Sequence, residues 1–94
     1  MFDFKNDKFV IGQDIETMLF GKKLILKNVQ LYDGPVTLQL LPYGGIQSVY
    51  DYNLIINTKQ GFIYPLDIFY DDAHFTTKDF IIKYSNLVNL VLPN

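Results

Sequence analysis

The segment from residue 50 to residue 70 constrains the fold of this chain more than any other. In VYDYNLIINT, every second residue is large and apolar or aromatic: Tyr50, Tyr52, Leu54 and Ile56. After the short connection KQG, the alternation resumes: Phe62, Tyr64, Leu66, Ile68 and Tyr70. A two-residue period is typical of a half-buried strand, and two such runs around a short glycine-containing loop indicate a hairpin. We therefore predict a hairpin over residues 50–70, in which Pro65 marks an edge strand or a bulge.

Three other segments have the composition of strands. The first is the short apolar run Lys8–Ile11. The second is residues 23–32 (KLILKNVQLY), whose alternation slips at Lys27–Asn28 as it does at a bulge. Asp33–Gly34 is a hairpin signal, because both residue types tolerate positive φ. Residues 36–41 (VTLQLL) would then form the return strand of that hairpin.

Residues 13–20 are the first candidate helix. Ile15, Met18 and Leu19 have helical spacing, and Gly21 lies where a helix commonly ends. A strand that turns at Gly21–Lys22 is the alternative, because the same glycine also suits a hairpin.

Residues 77–92 are the second candidate helix. Their polar positions recur at steps of three and four, Thr76 or Thr77 can cap the first turn, and Asp79 lies within that turn. Pro93 follows the end of the pattern. The additional apolar residues of this segment leave a second pair of strands as the alternative.

These elements predict a single domain over residues 1–94 of the α+β class. We expect a small, mostly antiparallel sheet of four to five strands, one short helix in the N-terminal half and one C-terminal helix. An all-β small barrel is the alternative fold.

The composition excludes some chemistry and disfavours other chemistry. The chain has no cysteine, which excludes disulfides and thiolate sites, and all eight of its basic residues are lysine. Arginine is the usual reader of phosphates and guanine edges, so its absence and the net charge of −2 count against nucleic-acid binding. No apolar run is long enough for a membrane span or a signal peptide. We expect a cytoplasmic protein with no membrane partner.

Five ionisable residues lie within thirteen positions: Asp67, Asp71, Asp72, His74 and Asp79. Each has an ordinary structural role in a strand, a turn or the first turn of a helix. The stretch has only one imidazole, and it lacks the glycine and the late glutamate of a calcium loop. We expect no metal, no cofactor and no enzymatic activity. A metal-assisted hydrolase using Asp71, Asp72 and His74 is the weakest of the functional hypotheses.

The aromatic content favours a binding function. Fifteen aromatic rings exceed what a domain of this size can bury completely, and tyrosine is enriched at interface hot spots. We predict a non-enzymatic protein-interaction module that binds another protein or a second copy of itself, in the manner of an inhibitor or immunity-type protein from a mobile element. The predicted partner-binding patch comprises these residues: Tyr64, Asp67, Tyr70, Asp71 and Asp72.

The alternative function is single-stranded nucleic-acid binding on a small β-barrel. Aromatic rings would stack on the bases, and a groove lined by lysines would follow the backbone. The lysines available for such a groove are Lys22, Lys23, Lys27 and Lys59.

Overall fold

The structure is a computed structural model that describes residues 1–36 and 39–94. In this part of the chain, eight strands form two antiparallel sheets of four strands each. The strands are β1 (Ile15–Leu19), β2 (Lys22–Lys27), β3 (Gln30–Leu31), β4 (Ile46–Ser48), β5 (Ile55–Thr58), β6 (Gly61–Tyr64), β7 (Asp67–Tyr70) and β8 (Ala73–Thr76). The first sheet has the order β1-β2-β7-β8 and the second the order β3-β6-β5-β4. One helix, α1 (Thr77–Lys83), follows β8.

The two sheets are joined at one corner, where two neighbouring stretches of chain bend from one sheet into the other. The chain leaves β2 and enters β3 at Asn28, where φ is 51°. On the neighbouring strand it leaves β6 and enters β7 at Pro65. The backbone N–H of Leu66 donates to the Lys27 carbonyl over 3.0 Å, so the two bends lie against each other. β2 thus pairs with β7 in one sheet, while β3 pairs with β6 in the other.

The corner reverses which residues face the core. Leu26 is buried before the bend and Val29 after it, and Ile63 and Ile68 are buried on either side of Pro65. The break in the alternation of apolar residues was predicted at the correct place, Lys27–Asn28. The chain changes sheets there instead of forming the predicted bulge. The predicted single strand over residues 62–70 is wrong for the same reason. Leu66 falls in the corner and is 51% exposed.

The Asp14 carboxylate stabilises the corner from outside. It accepts a hydrogen bond from Lys27 Nζ over 2.7 Å and one from the Asn28 backbone N–H over 3.0 Å. The Lys27 hydrogen bond is the main cause that lowers the pKa of Asp14 below its usual value of 3.8, and the Asn28 N–H lowers it further.

We predict that Asp14→Asn lowers the free energy of unfolding at neutral pH by about 1 kcal/mol, because the carboxylate is half exposed and screened by solvent. A lowered carboxyl pKa stabilises the fold above pH 3.8, and this contribution is lost as the pH falls through the folded-state value. Urea denaturation should therefore show the two proteins converging in acid. Asp72→Asn, at an exposed turn, is the matched control, and an equal loss there would contradict the role of Asp14.

Two tight turns with positive φ close the hairpins of the first sheet. Phe20 and Gly21 connect β1 to β2 with φ of 52° and 74°, and Asp71 and Asp72 connect β7 to β8 with φ of 53° and 65°. Such left-handed pairs match the twist of two-residue hairpins. The predicted helix over residues 13–20 is wrong and the alternative strand is correct. Ile15, Thr17 and Leu19 are buried in alternation, and Gly21 serves the turn.

Two other predicted strands are not present. Lys8–Ile11 is irregular, and the Gln60 side-chain amide holds it by exchanging two hydrogen bonds with the Phe9 backbone, both of 2.9 Å. Val36 and residues 39–41 are not in a strand, so the hairpin predicted at Asp33–Gly34 is wrong as far as the described residues extend. Thr37 and Leu38, in the middle of that predicted strand, lie outside the described residues.

The strand predicted from residue 50 begins only at Ile55. Residues Tyr50–Tyr52 form a short 3₁₀ turn, in which Asp51 and Tyr52 have φ of 52° and 58°. The turn between β5 and β6 at residues 58–61 is where the alternation predicted it.

The C-terminal helix is confirmed only in its first half. Thr76 caps it by accepting from the Asp79 backbone N–H over 3.1 Å, as predicted, but the helix ends at Lys83. The residues that follow are extended or turned, and Leu90 pairs with β4 by accepting from the Ile46 N–H over 2.7 Å. The helix predicted over residues 84–92 is therefore wrong, because these residues cover the β4 edge.

The core lies between the two sheets and α1. Its largest fully buried side chain is Phe80, whose ring contacts those of Tyr70, Phe75 and Tyr84 with centroids 5.0 to 5.7 Å apart. The α+β class is confirmed, with two open sheets in place of the single predicted sheet and no closed barrel. No helix within residues 1–36 and 39–94 has the length and apolarity that crossing a bilayer requires.

Candidate functional site

The five residues of the predicted patch do not form one surface. Tyr64 lies on β6 in the second sheet, whereas the other four lie on β7 or in the turn after it. The corner at Pro65 separates the two groups.

Tyr70 has to be removed from the predicted patch. Its side chain is 3% exposed, and its hydroxyl donates to the Leu19 carbonyl over 2.8 Å. Burial raises the pKa of this hydroxyl above 10.0, with nearby Tyr84 and Asp71 also raising it and Lys22 opposing them. Even-numbered residues of β7 face the core, so Tyr70 fixes β7 to β1 and presents no ring to a partner.

Two of the remaining acids of the predicted patch have basic partners, whereas Asp72, in the turn between β7 and β8, has no ion pair among the described residues. Asp71 forms an ion pair with Lys22 at 3.4 Å, and Asp67 pairs with His74 Nε2 on the outer face of the sheet. The ring of Phe69 lies next to both the His74 ring (5.0 Å between centroids) and Lys27 Nζ (5.5 Å from the centroid). Asp67 and Asp71 are thus already engaged within the molecule.

The groups named in the alternative hypotheses are also dispersed. Lys22 and Lys27 are engaged with aspartates, and Lys59 lies in the β5–β6 turn, at the opposite end of the bent strand pair from Lys22. Lys23 lies on β2 with Lys22 and Lys27, so Lys59 is the lysine of the predicted groove that is separated from the others. Within the described ranges, no three His, Asp or Glu side chains are grouped as a metal site.

A cleft on the second sheet brings together aromatic rings and acids from three separate segments. It has a volume of about 300 Å³. Its chemically distinctive lining residues are Tyr32, Asp33, Tyr50, Asp51, Asn53 and Tyr64. Two other depressions, next to Leu40 and next to Tyr84, have no acid in their linings, and a smaller one of about 70 Å³ contains Asp72 together with Lys23. We take this tyrosine cleft as the candidate functional site.

One wall of the tyrosine cleft is held by Tyr32. Its backbone N–H donates to the Phe62 carbonyl over 2.8 Å, and its hydroxyl donates to the Pro35 carbonyl over 2.7 Å. The Tyr32 ring packs on Gly34, where an added Cβ would lie 2.5 Å from the hydroxyl oxygen. A side chain at residue 34 would therefore displace the Tyr32 ring, over which this loop folds back. The Tyr32 and Tyr64 rings meet edge to face, with 6.2 Å between centroids.

The opposite wall is the turn that follows β4. Asn53 N–H donates to the Tyr50 carbonyl over 3.0 Å and closes the turn. The positive φ of Asp51 and Tyr52 breaks the alternation, so Tyr50 remains 55% exposed instead of turning into the core. Aspartate tolerates a left-handed backbone, but tyrosine adopts it at a cost of the order of 1 kcal/mol.

The cleft is electrostatically negative. Loss of water around the Tyr32 hydroxyl raises its pKa above 10.0, and the neighbouring Tyr50 and Asp51 raise the pKa further. No lysine lines the cleft, and within residues 1–36 and 39–94 neither Asp33 nor Asp51 has an ion-pair partner. Other acids of the described residues also have no ion pair, so what distinguishes Asp33 and Asp51 is that they line one cleft together with three tyrosines.

Comparisons of the chain with protein-family models, with curated proteins and with solved structures find no match. The site therefore has to be interpreted from its own geometry.

Sequence reasoning identified only Tyr64 among the residues of the cleft. A usable signal was nevertheless present, because the dipeptide Tyr-Asp occurs at residues 32–33, 50–51 and 70–71. Two of these three pairs line the cleft. In each pair the acid lies where a strand ends or a turn begins, which leaves its carboxylate at the surface.

Proposed function

We propose that this chain is a non-enzymatic protein-interaction module that binds a partner protein at the tyrosine cleft. The observation that carries the proposal is the lining of that cleft: three tyrosines and two carboxylates without a basic counter-charge. Such surfaces are suited to binding, because tyrosine offers a large rigid ring and a hydroxyl at a low entropic cost.

The rim of the cleft supports this function. Leu31 and Tyr50 are 54% and 55% exposed at its edge, so a partner segment seated there would bury apolar surface. Isolated exposed apolar residues are ordinary, but aromatic residues are enriched at interfaces, and three tyrosines converge in this cleft.

The backbone of the turn at Tyr50–Tyr52 also supports a binding function. Tyr52, a tyrosine in the left-handed region directly after Asp51, stores strain in the segment that presents Tyr50. Strained backbone residues are found preferentially at functional sites, where they hold a side chain in the position that its function requires at some cost in stability.

The partner-masking role follows from size and charge. A small acidic domain with a recessed binding site can cover a basic surface of a larger protein and prevent its use. An inhibitor or immunity-type protein of the cytoplasm is the specific form of this proposal.

Selection from a displayed library of random peptides tests the proposal. We expect peptides that bind the unmodified protein but not the Tyr50→Ala variant. Tyr43→Ala is the matched control, because Tyr43 is also exposed (43%) but lines a different depression with Lys5 and Leu40. A library that yields no binder, or binders equally sensitive to both substitutions, would contradict a cleft-directed protein-binding function.

A further inference from the structure

We infer that the occupant of the tyrosine cleft is an arginine side chain of the partner. This inference rests on the proposed function and specifies the chemistry that the cleft recognises.

Charge is the first argument. Asp33 and Asp51 come from two different segments that line the cleft, and neither is neutralised by a lysine within the described residues. A positively charged group that enters the cleft is attracted by both carboxylates, and it reduces the electrostatic repulsion between them. A neutral or acidic side chain would desolvate both carboxylates without compensation.

The aromatic lining is the second argument, and it favours arginine over lysine. A guanidinium stacks on aromatic faces, donates two parallel hydrogen bonds to a carboxylate and loses its hydration more readily than an ammonium. The cleft offers both kinds of partner, since three tyrosines and two aspartates line it. The Asn53 amide adds a further polar group at the same site.

The size of the cleft is the third argument. Its volume of about 300 Å³ is at the lower end of the range for small-molecule sites. One long side chain with its flanking backbone suits such a space, whereas a helix or a strand would need a groove.

This chemistry also identifies the source of the occupant. The chain contains no arginine, so a second copy of these residues cannot supply it. The cleft is therefore directed at a different protein, and self-association through it is not part of the inference.

The test is a titration of the isotope-labelled protein with capped tripeptides, followed by amide chemical shifts. The tripeptides are Gly-Arg-Gly and the same sequence with citrulline, lysine or glutamate at the centre. Citrulline retains the shape of arginine without its charge. We expect the arginine tripeptide to shift the amides of Tyr32, Asp33, Asp51 and Asn53, with lysine weaker than arginine. Citrulline should bind about 10-fold more weakly, as loss of a cation–π contact and an ion pair implies.

Matched variants and salt complete the test. Asp33→Asn together with Asp51→Asn should weaken arginine binding about 10-fold, while Asp72→Asn should leave it unchanged. Raising the ionic strength from about 0.01 M to about 1 M should weaken it as well, because the Debye length falls from about 30 Å to about 3 Å. No arginine-specific shifts in the cleft, equal binding of citrulline or lysine, or an equal effect of Asp72→Asn would overturn the inference. Library peptides that require Tyr50 but contain no arginine would also overturn it and would leave the proposed function standing.

Discussion

Leu54→Ala should lower the free energy of unfolding by about 2 to 5 kcal/mol, whereas Leu66→Ala should lower it by less than about 1 kcal/mol. The two substitutions remove the same atoms, so only their surroundings differ. Leu54 is 0% exposed and packs in the core between the sheets, and Leu66 is 51% exposed in the corner. Truncation at Leu54 leaves a cavity that the packed neighbours cannot fill, while truncation at Leu66 leaves space that water already occupies.

Chemical denaturation of both variants measures the difference directly. Two substitutions across the corner, Ile63→Val and Ile68→Val, extend the test, because both residues are fully buried although an odd number of positions separates them. Each should cost about 0.5 to 1.5 kcal/mol. Comparable losses at Leu54 and Leu66, or a loss at only one of the two isoleucines, would mean that the chain continues through Pro65 without reversing its faces.

The corner shows where the sequence stops being informative. On each side of Pro65 the alternation is regular, and it correctly predicts strands. The reversal of faces depends on pairing with residues 27–30, which are more than thirty positions away along the chain. Short-range signals were reliable by contrast: the Thr76 cap, the Asp71–Asp72 turn and the β5–β6 turn are all set by adjacent residues.

The helices predicted over residues 13–20 and 84–92 were wrong for a different reason. Gly21 suits both a helix end and a hairpin turn, so the pattern before it could not decide between helix and strand. Residues 84–92 carry apolar side chains on more than one face, and only the presence of the β4 edge determines that they become extended.

The cleft was least accessible to sequence reasoning, because three segments far apart in the chain form it. The alternation in YDYNLII placed Tyr50 on the core face together with Leu54. The left-handed backbone at Asp51 and Tyr52 breaks that relation and returns Tyr50 to the surface. Asp33–Gly34 was correctly expected to turn, but the turn folds over Tyr32 instead of starting a hairpin.

Tyr50→Ala should weaken binding of a library-selected peptide by about 10- to 1000-fold, which corresponds to about 1.4 to 4 kcal/mol. Truncating the ring removes one wall of the cleft and leaves the partner group without its aromatic contact. Because Tyr50 is 55% exposed and outside the core, the substitution should leave the free energy of unfolding almost unchanged.

Tyr50→Phe and Gly34→Ala separate the possible causes of such a loss. Phenylalanine keeps the ring, so its effect on affinity should be small. A Cβ at Gly34 would collide with Tyr32, so Gly34→Ala should weaken binding by displacing the Tyr32 ring from the wall of the cleft. Calorimetric titration gives the affinities. An unchanged affinity for Tyr50→Ala would show that the peptides bind elsewhere.

The most direct test of the account is a double-mutant cycle between the cleft and its occupant. Asp51→Asn is combined with replacement of the peptide's arginine by citrulline, and the four affinities are measured by calorimetry. If the arginine lies against Asp51, the sum of the binding free energies lost in the two single changes should exceed the loss in the double change by about 0.5 to 3 kcal/mol. The reason is that each single change removes the same interaction. Losses that add to within about 0.3 kcal/mol, or selected peptides that have no arginine to replace, would contradict the account.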